Sequence, residues 1–188
     1  MQEYLAALTI ILALGTVWTR VLLMRNRGIK ALHFGRTDKK DFLIPPFAFF
    51  YFYIVFTPAL HIPPVSRQEF FRSEAVSWAG AAFCAAGLSL LFLSLLSFGK
   101  SFRIGIDTGK PGRLVTTGVF ALTRNPIYVA FGMILLGEFL IQPNWIILLY
   151  MGGGYGLFHR QVLREEAFLK GRYGGAFTRY RQKVRRYF

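Results

Sequence analysis

Five apolar runs with almost no charged residues restrict this chain more than any other feature of its sequence. They lie at residues 4–24, 42–60, 75–98, 126–141 and 145–158. An apolar helix of about 20 residues is long enough to cross the hydrocarbon layer of a membrane. The runs therefore predict an all-α integral membrane protein with five transmembrane helices, in a single domain covering residues 1–188. Pro143 and Asn144 form a turn signal between the last two runs, whose shortness predicts a tight helical hairpin.

Composition excludes several other classes of protein. Hydrophobic residues make up 54% of the chain and charged residues 17%, which leaves too few charges to solvate a soluble domain of this length. The same hydrophobicity excludes a disordered chain. Cys84 is the only cysteine, so no disulfide framework and no metal site built on paired cysteines is expected. We expect the first run to be retained as a span, because no basic segment precedes it and no small-residue cleavage site follows it.

Positive charge predicts the orientation, because basic loops remain on the cytoplasmic side of a membrane. Of the 23 Lys and Arg residues, all but Arg67 and Arg72 fall around the end of the first run, between the third and fourth runs, or after the fifth. Five spans place all of these on one side if the N-terminus is outside and the C-terminus is cytoplasmic. Topology and attraction to anionic membrane lipids thus account for the net charge of +14, and nucleic-acid binding is not predicted. The short chain favours a bacterial inner membrane, and in a eukaryote we expect the endoplasmic reticulum.

The predicted cytoplasmic side contains two unusual segments. A glycine-rich loop at residues 99–113 leads into Leu-Val-x-x-Gly-Val-Phe-x-x-x-Arg-Asn-Pro-x-Tyr at residues 114–128. Asn125 is expected to cap the fourth helix and Pro126 to be its first residue. The start of a helix offers N–H groups and a positive dipole to an anionic ligand.

The second segment follows the fifth run. Residues 159–170 are predicted to extend the fifth helix into the cytoplasm, until glycines interrupt it. Within them Gln161 and Glu165 share one helix face, and Arg160 and Arg164 share another. A short basic amphipathic helix at residues 176–186 is expected to lie on the membrane surface.

Together, these two segments resemble the isoprenylcysteine carboxyl methyltransferase family and its bacterial and archaeal relatives, with phospholipid methyltransferases as more distant relatives. The second matching pattern is Arg-Glu-Glu-x-x-Leu-x-x-x-Tyr-Gly-x-x-Phe-x-x-Tyr-x-x-x-Val, at residues 164–184. The resemblance covers residues 99–186 and implies a membrane enzyme with a cytoplasmic pocket for S-adenosylmethionine. By position, it implies that the cofactor contacts Arg113, Leu114, Val115, Phe120, Arg124, Asn125, Pro126, Tyr128 and Glu165.

Two departures from the family pattern bear on the methyl acceptor. Asn125 stands where the family commonly has histidine, and an amide cannot act as a base near neutral pH. Gln161 stands where the prenyl-protein enzymes have a substrate-binding arginine, so either Arg160 or Arg164 replaces that arginine or the substrate differs. A carboxylate acceptor is already ionised and needs only a cation to hold it. The sequence therefore predicts methylation of a carboxylate on a lipophilic molecule or lipid-modified partner that enters from the bilayer, with Arg160, Arg164 and Asn125 at the catalytic positions.

Three alternatives remain open. The first is methylation of a phospholipid amine, which usually needs a base, and His159 is the one candidate base beside the predicted pocket. The second is an NADPH-dependent reductase related to membrane sterol reductases. The third is a membrane scaffold without catalytic activity. The oligomeric state is not determined by the sequence.

Two features inside the apolar runs have structural interpretations. Glu138 is the only acid within a run, and we expect it to reach the outer interface near Pro143. The glycine run at residues 152–156 is expected to bring helix backbones close together or to open a gap between them.

Overall fold

The computed structural model describes residues 1–29, 44–62, 69–71, 73–102 and 112–188. Within these ranges all regular secondary-structure elements are helices, and one isolated β-bridge joins Glu69 to Asn144. The α-helices are α1 (Gln2–Asn26), α2 (Ile44–Ala59), α3 (Glu74–Phe98), α4 (Pro126–Ile141), α5 (Trp145–Tyr173) and α6 (Gly175–Lys183). Two short 3₁₀ turns lie at Gly99–Ser101 and Gly118–Ala121.

The all-helical prediction is confirmed, since a helix occupies each predicted apolar run. Two described helices, α1 and α3, are long and apolar enough to cross a membrane, and shorter apolar helices lie at Phe49–Ala59 and Pro126–Ile141. The number of membrane crossings and their orientation stay predictions. Residues 30–43 and 103–111, which hold several of the basic residues and glycines used in the sequence argument, lie outside the described ranges, as do Arg67 and Arg72.

Local signals explain where α5 begins and ends. The Oδ1 atom of Asn144 accepts hydrogen bonds from the backbone N–H groups of Ile146 and Ile147, both at 3.0 Å, which confirms the predicted turn. The helix then continues without interruption through the predicted cytoplasmic extension. It ends at Gly174, whose φ of +50° is a conformation that other residues rarely adopt. The extension and the fifth apolar run therefore form one continuous helix.

Glycines allow α3 and α4 to pack closely along much of their length. A Cβ atom added to Gly137 of α4 would lie 2.6 Å from the Sγ atom of Cys84 and 2.6 Å from the carbonyl oxygen of Gly80, both in α3. One added to Gly87 would lie 2.8 Å from the carbonyl oxygen of Ala130. Small residues at such a contact let helix backbones approach without a side chain between them.

The Gly137→Ala variant is expected to lose about 1–3 kcal/mol of stability, because the added methyl group overpacks the contact between α3 and α4. The matched control is Gly132→Ala on the same helix, where an added Cβ would meet no atom within 4 Å. Thermal unfolding in detergent would measure both. Equal midpoints for the two variants would contradict the close packing.

Glu138 does not reach the outer interface, so that expectation is wrong. Its side chain is fully buried among the helices, with Oε1 4.0 Å from the Sγ atom of Cys84. The reason is the direction in which the end of α4 faces, since Gly137 and Ile141 beside it pack against Gly80 of α3.

Within the glycine run of α5, Gly154 confirms the expected close approach between helices, and the expected gap between helices stays a prediction. A Cβ added to Gly154 would lie 2.8 Å from the Cδ1 atom of Leu135 in α4, so the two helices are close there. At Gly152 and Gly156 it would meet no atom within 4 Å. These two glycines, one helical turn apart, leave a strip of α5 without side chains on an exposed face.

Helix α6 does not place its apolar face against lipid, and the membrane-surface prediction is wrong for this face. Phe177 and Tyr180 are 1% and 8% exposed. The hydroxyl of Tyr180 donates a 2.6 Å hydrogen bond to the backbone oxygen of Phe120. Because the loop before α4 needs a packing partner, the apolar side of α6 faces the protein interior.

Candidate active site

Two consecutive acids, Glu165 and Glu166, stand on the extension of α5. Consecutive helix residues point about 100° apart, so the two carboxylates contact different groups. Glu166 is the less exposed of the two, although Glu165 is also partly buried. Its Oε1 atom accepts hydrogen bonds from Arg124 at 2.9 and 3.1 Å and from Asn125 at 3.2 Å. Its Oε2 atom accepts two from Arg186, at 2.9 and 3.1 Å. We call Glu166, Arg124, Asn125 and Arg186 the Glu166 clamp.

The clamp also holds the end of the chain against the start of α4. Residues 184–187, the C-terminal strap, run past the Arg-Asn-Pro motif, and the backbone oxygens of the strap accept its hydrogen bonds. The backbone N–H of Arg124 donates to Arg185, and its Nη1 donates to Val184. The Nδ2 of Asn125 and the Oγ1 of Thr123 both donate to Arg186. These four bonds are 2.6–3.1 Å long. Three separate parts of the sequence thus meet at one buried carboxylate.

Asn125 takes the predicted position but not the predicted contact. It is the residue before α4, and Pro126 is the first helical residue, as predicted. Its side chain does not cap the helix and donates instead to Glu166 and the strap. The bond from Nδ2 to the Glu166 carboxylate is charge-assisted and about twice as strong as a neutral hydrogen bond, so it fixes the direction of the amide. Whether Arg124 and Asn125 also contact a cofactor stays a prediction.

Glu165 faces the other way, toward α4. Its Oε1 atom accepts a 2.6 Å hydrogen bond from the hydroxyl of Tyr128 and a 3.0 Å bond from Nε2 of Gln161. The predicted common face of Gln161 and Glu165 is therefore confirmed. Tyr128 also lies beside Phe158, with ring centroids 5.9 Å apart. This group places a carboxylate next to aromatic rings where α4 begins.

The two carboxyl groups titrate in opposite directions. Burial raises the pKa of Glu165 above its ordinary value, although the hydrogen bonds from Tyr128 and Gln161 oppose this. Burial also disfavours the charged form of Glu166, but hydrogen bonds from Arg186 and Arg124 outweigh it and lower the pKa of Glu166. Glu166 therefore stays ionised to a lower pH than an ordinary glutamate and has fixed partners, whereas Glu165 gains its proton at a higher pH than an ordinary glutamate.

The segment before α4 lies against the far end of α5. The N–H of Arg113 donates a 3.1 Å hydrogen bond to Oγ of Ser101, and the hydroxyl of Tyr173 donates to the backbone oxygen of Gly112. Tyr173 is eight residues beyond Glu165, about 12 Å along the helix. The start of this segment, at Gly112 and Arg113, is therefore held near the end of α5, and the predicted cofactor contacts of Arg113, Leu114 and Val115 stay predictions.

Phe120 is buried in the interior, where its ring meets that of Phe98 edge-on at 4.5 Å. That position gives it a packing role behind the segment before α4. Its predicted contact with a cofactor is untested.

A second polar pair lies where α5 leaves the apolar region. The Nδ1 atom of His159 is 3.0 Å from the hydroxyl oxygen of Tyr187 in the strap. The ring of Tyr155 is stacked with that of His159, at 6.1 Å between centroids. Arg160 is exposed and Arg164 is half-buried, one turn apart on α5 as predicted. Their contact with an acceptor stays a prediction.

Sequence reasoning missed Glu166, Arg186 and Tyr187. The sequence argument includes Glu166 only within the Arg-Glu-Glu pattern, and Arg186 only as the end of the basic amphipathic helix. A signal existed for Glu166, because Glu165 and Glu166 are the only two acidic residues after residue 158, in a segment with many arginines and lysines. An acid in such a segment is expected to pair with some of these basic side chains. No local pattern indicates Arg186 or Tyr187, because their partners are distant in sequence.

Comparison with known proteins adds two findings. The sequence model of the family described as phospholipid methyltransferase matches residues 75–176. The protein-S-isoprenylcysteine O-methyltransferase of Schizosaccharomyces pombe is 30% identical over 105 residues, which are 54% of this chain and 44% of that protein. The chain thus matches less than half the length of this relative. The family match includes Glu165 and Glu166 and ends before the strap.

Proposed function

Because this chain belongs to the phospholipid methyltransferase family, we propose that it transfers a methyl group from S-adenosylmethionine to a lipophilic acceptor at the membrane. The observation that carries the proposal is the environment of Glu165. Among the described residues both hydrogen bonds of this carboxylate go to Oε1, which leaves Oε2 to accept from a ligand. When bound, S-adenosylmethionine supplies a methyl group on a positively charged sulfur, together with an ammonium and a carboxylate.

The residues present fit this cofactor chemically. The Glu165 carboxylate suits the ammonium group, and the rings of Tyr128 and Phe158 suit a positively charged sulfur. The segment at residues 113–115 is proposed to approach the adenosine end, as the resemblance implies. We propose that Arg124 and Asn125 act through the Glu166 clamp, which holds the start of α4 against α5. Methyl transfer depends mainly on positioning two reactants in line, so a rigid frame is what the reaction needs.

For the acceptor, a lipophilic carboxylate is the first proposal. Arg164 and Arg160 stand on α5 one turn apart, close in sequence to Glu165, and a cation there would hold an ionised carboxylate. The strip at Gly152 and Gly156 is proposed as the path by which the acceptor's apolar chain lies along α5. The match to an isoprenylcysteine O-methyltransferase supports this choice.

A second candidate is methylation of a lipid amine, and the pair formed by His159 and Tyr187 favours it. An amine must lose a proton during methylation. If Nδ1 of His159 donates to the Tyr187 hydroxyl oxygen, Nε2 is left to accept that proton. The match to the phospholipid methyltransferase family model also favours this acceptor.

The proposed function is tested by binding and transfer assays on the full chain in detergent. S-adenosylhomocysteine should bind and NADPH should not, as measured by calorimetry. Labelled methyl transfer to a farnesylated cysteine analogue and to phosphatidylethanolamine then separates the acceptors. Arg164→Gln should raise KM for the carboxylate, whereas His159→Gln should lower kcat only for the amine. Binding of NADPH alone would indicate the reductase alternative, and binding of neither compound would indicate the scaffold.

The proposal includes a topology with five spans, an outer N-terminus and a cytoplasmic C-terminus, in a bacterial inner membrane. Its support is the one-sided distribution of basic residues. Because Cys84 is the only cysteine and is buried, single cysteines introduced at positions 2 and 188 would report their own side. A membrane-impermeant thiol reagent should label only the first from outside. Labelling of both from one side would require an even number of spans.

Donor binding should depend on pH through Glu165. Its pKa is raised, so the carboxyl gains a proton at a higher pH than an ordinary glutamate, and the neutral acid cannot pair with an ammonium. The affinity for S-adenosylhomocysteine is therefore expected to be full above the raised pKa and to fall as the pH decreases through it. Calorimetry across the acid range measures this. Glu165→Gln should bind weakly at every pH, and an unchanged acid decline in that variant would contradict the assignment.

A further inference from the structure

A groove separates α5 from α6 on the tail. Its volume is about 190 Å³, and it is lined by Lys170, Phe177, Thr178, Arg181 and Gln182. Lys170 comes from the last turn of α5 and Arg181 from α6, so two cations on different helices share one concave surface. Phe177 is almost fully buried and belongs to the contact between the helices.

The positive charge of this groove has no acidic side chain available from the tail. From residue 159 onward the only acidic side chains are Glu165 and Glu166. Glu165 accepts from Tyr128 and Gln161, and Glu166 is saturated by two arginines of the clamp. Two like charges facing one cavity repel each other unless an anion stands between them.

We propose that this groove binds a phosphate-type anion, carried by an anionic phospholipid head group or free in solution. Lys170 and Arg181 supply charge-assisted donors from two sides, and the amide of Gln182 adds a neutral donor. The groove is next to the Glu166 clamp. Lys170 lies one helical turn after Glu166, and the backbone oxygen of Arg181 accepts a 3.2 Å hydrogen bond from Nη1 of Arg124. An anion bound there stabilises the packing of α6 that the clamp depends on.

The chain offers a matched pair of variants for the test. Lys170→Gln with Arg181→Gln removes both cations of the groove. Arg172→Gln with Arg179→Gln removes two exposed cations from the same region, neither of which lines the groove. Both double variants lower the net charge equally, so a difference between them reports the groove and not the overall charge.

Inorganic phosphate is titrated into the detergent-solubilised protein, and the midpoint of thermal unfolding is followed by tryptophan fluorescence. In parallel, the protein is reconstituted in nanodiscs of phosphatidylcholine, with or without phosphatidylglycerol. The wild type and the control pair should be stabilised by the anion. The groove pair should lose about tenfold or more in apparent affinity.

Each outcome either tests the proposal or identifies the source of the bound anion. Stabilisation by phosphatidylglycerol but not by phosphate identifies the lipid head group, and the reverse identifies a free anion. Equal losses in the two double variants would overturn the proposal, as would the absence of any effect on the wild type. If the groove pair does not fold, Lys170→Gln with rescue by Lys170→Arg decides the same question, because Lys170 is exposed.

Discussion

Glu166→Ala is expected to destabilise the protein by about 3–5 kcal/mol, because it leaves a buried arginine without its counter-charge. The side chains of Glu166 and Arg124 are 8% and 7% exposed, and the carboxylate joins the start of α4 to α5 and to the strap. Its loss therefore releases three parts of the chain at once. Thermal unfolding in detergent, followed by tryptophan fluorescence, measures the change.

The partner variants define how the stabilisation is distributed. Arg186 is 34% exposed, so its ion pair with Glu166 is screened by solvent, and Arg186→Gln should cost clearly less than Glu166→Ala. Arg124→Gln should resemble Glu166→Ala, since it also leaves a buried charge unpaired. Combining Glu166→Ala with Arg124→Gln should cost less than the sum of the two single changes. Additive effects would contradict a direct interaction.

The clamp also predicts the response to acid. The pKa of Glu166 is lowered in the folded state, so its contribution is present above the unfolded-state pKa and is lost as the pH falls through the folded-state pKa. The temperature midpoint of unfolding should therefore decrease when the pH is brought below the range in which ordinary glutamates titrate. Glu166→Gln should show a weaker dependence on pH in that range.

Glu165→Gln is expected to weaken the binding of S-adenosylhomocysteine by about 10- to 100-fold, the value of one charge-assisted hydrogen bond. The amide keeps the shape of the side chain and removes the charge that pairs with the ammonium. Calorimetry on the detergent-purified protein measures the affinity. Tyr128→Phe serves as the control for geometry, because it removes the 2.6 Å hydrogen bond to Oε1 but leaves the carboxylate in place.

The Glu165→Gln variant should leave the fold intact or stabilise it. Burial raises the pKa of Glu165, so its ionised form is unfavourable in the folded protein at neutral pH, and a neutral amide removes that cost. The variants of these two adjacent acids are thus expected to have different effects, because Glu166 is needed for stability and Glu165 for binding. Unchanged affinity together with lost stability in Glu165→Gln would overturn the assignment of the donor site.

Helices with strong local signals could be predicted closely from the sequence. The bounds of α4 agree with the predicted run because Pro126 sets its start and the Pro143 turn follows its end. The continuation of α5 through residues 159–170 was also predicted, since no helix-breaking residue interrupts it. The exact break at Gly174, and not at Gly171, depends on the backbone conformation at the end of the helix.

The candidate site could be predicted only in part. The position of Asn125 before the helix, and the shared face of Gln161 and Glu165, follow from helix geometry. The partners of Asn125 do not, because they come from a carboxylate and a backbone oxygen more than 40 residues away. The prediction that the apolar face of α6 lies on the membrane surface was wrong for the same reason. Amphipathicity shows that a face must be covered, but not whether lipid or protein covers it.

The sequence by itself determined that this protein is helical and strongly apolar, with its basic residues concentrated between particular apolar runs and after the last one, because hydropathy and charge act locally along the chain. Only the tertiary structure decided which of two adjacent acids is held in ion pairs and which faces the start of α4. It also placed Glu138 in the interior and the strap across the Arg-Asn-Pro motif. These outcomes depend on packing between distant segments, since glycines set how close α3 and α4 come, and a buried carboxylate must gather its counter-charges from whichever elements reach it.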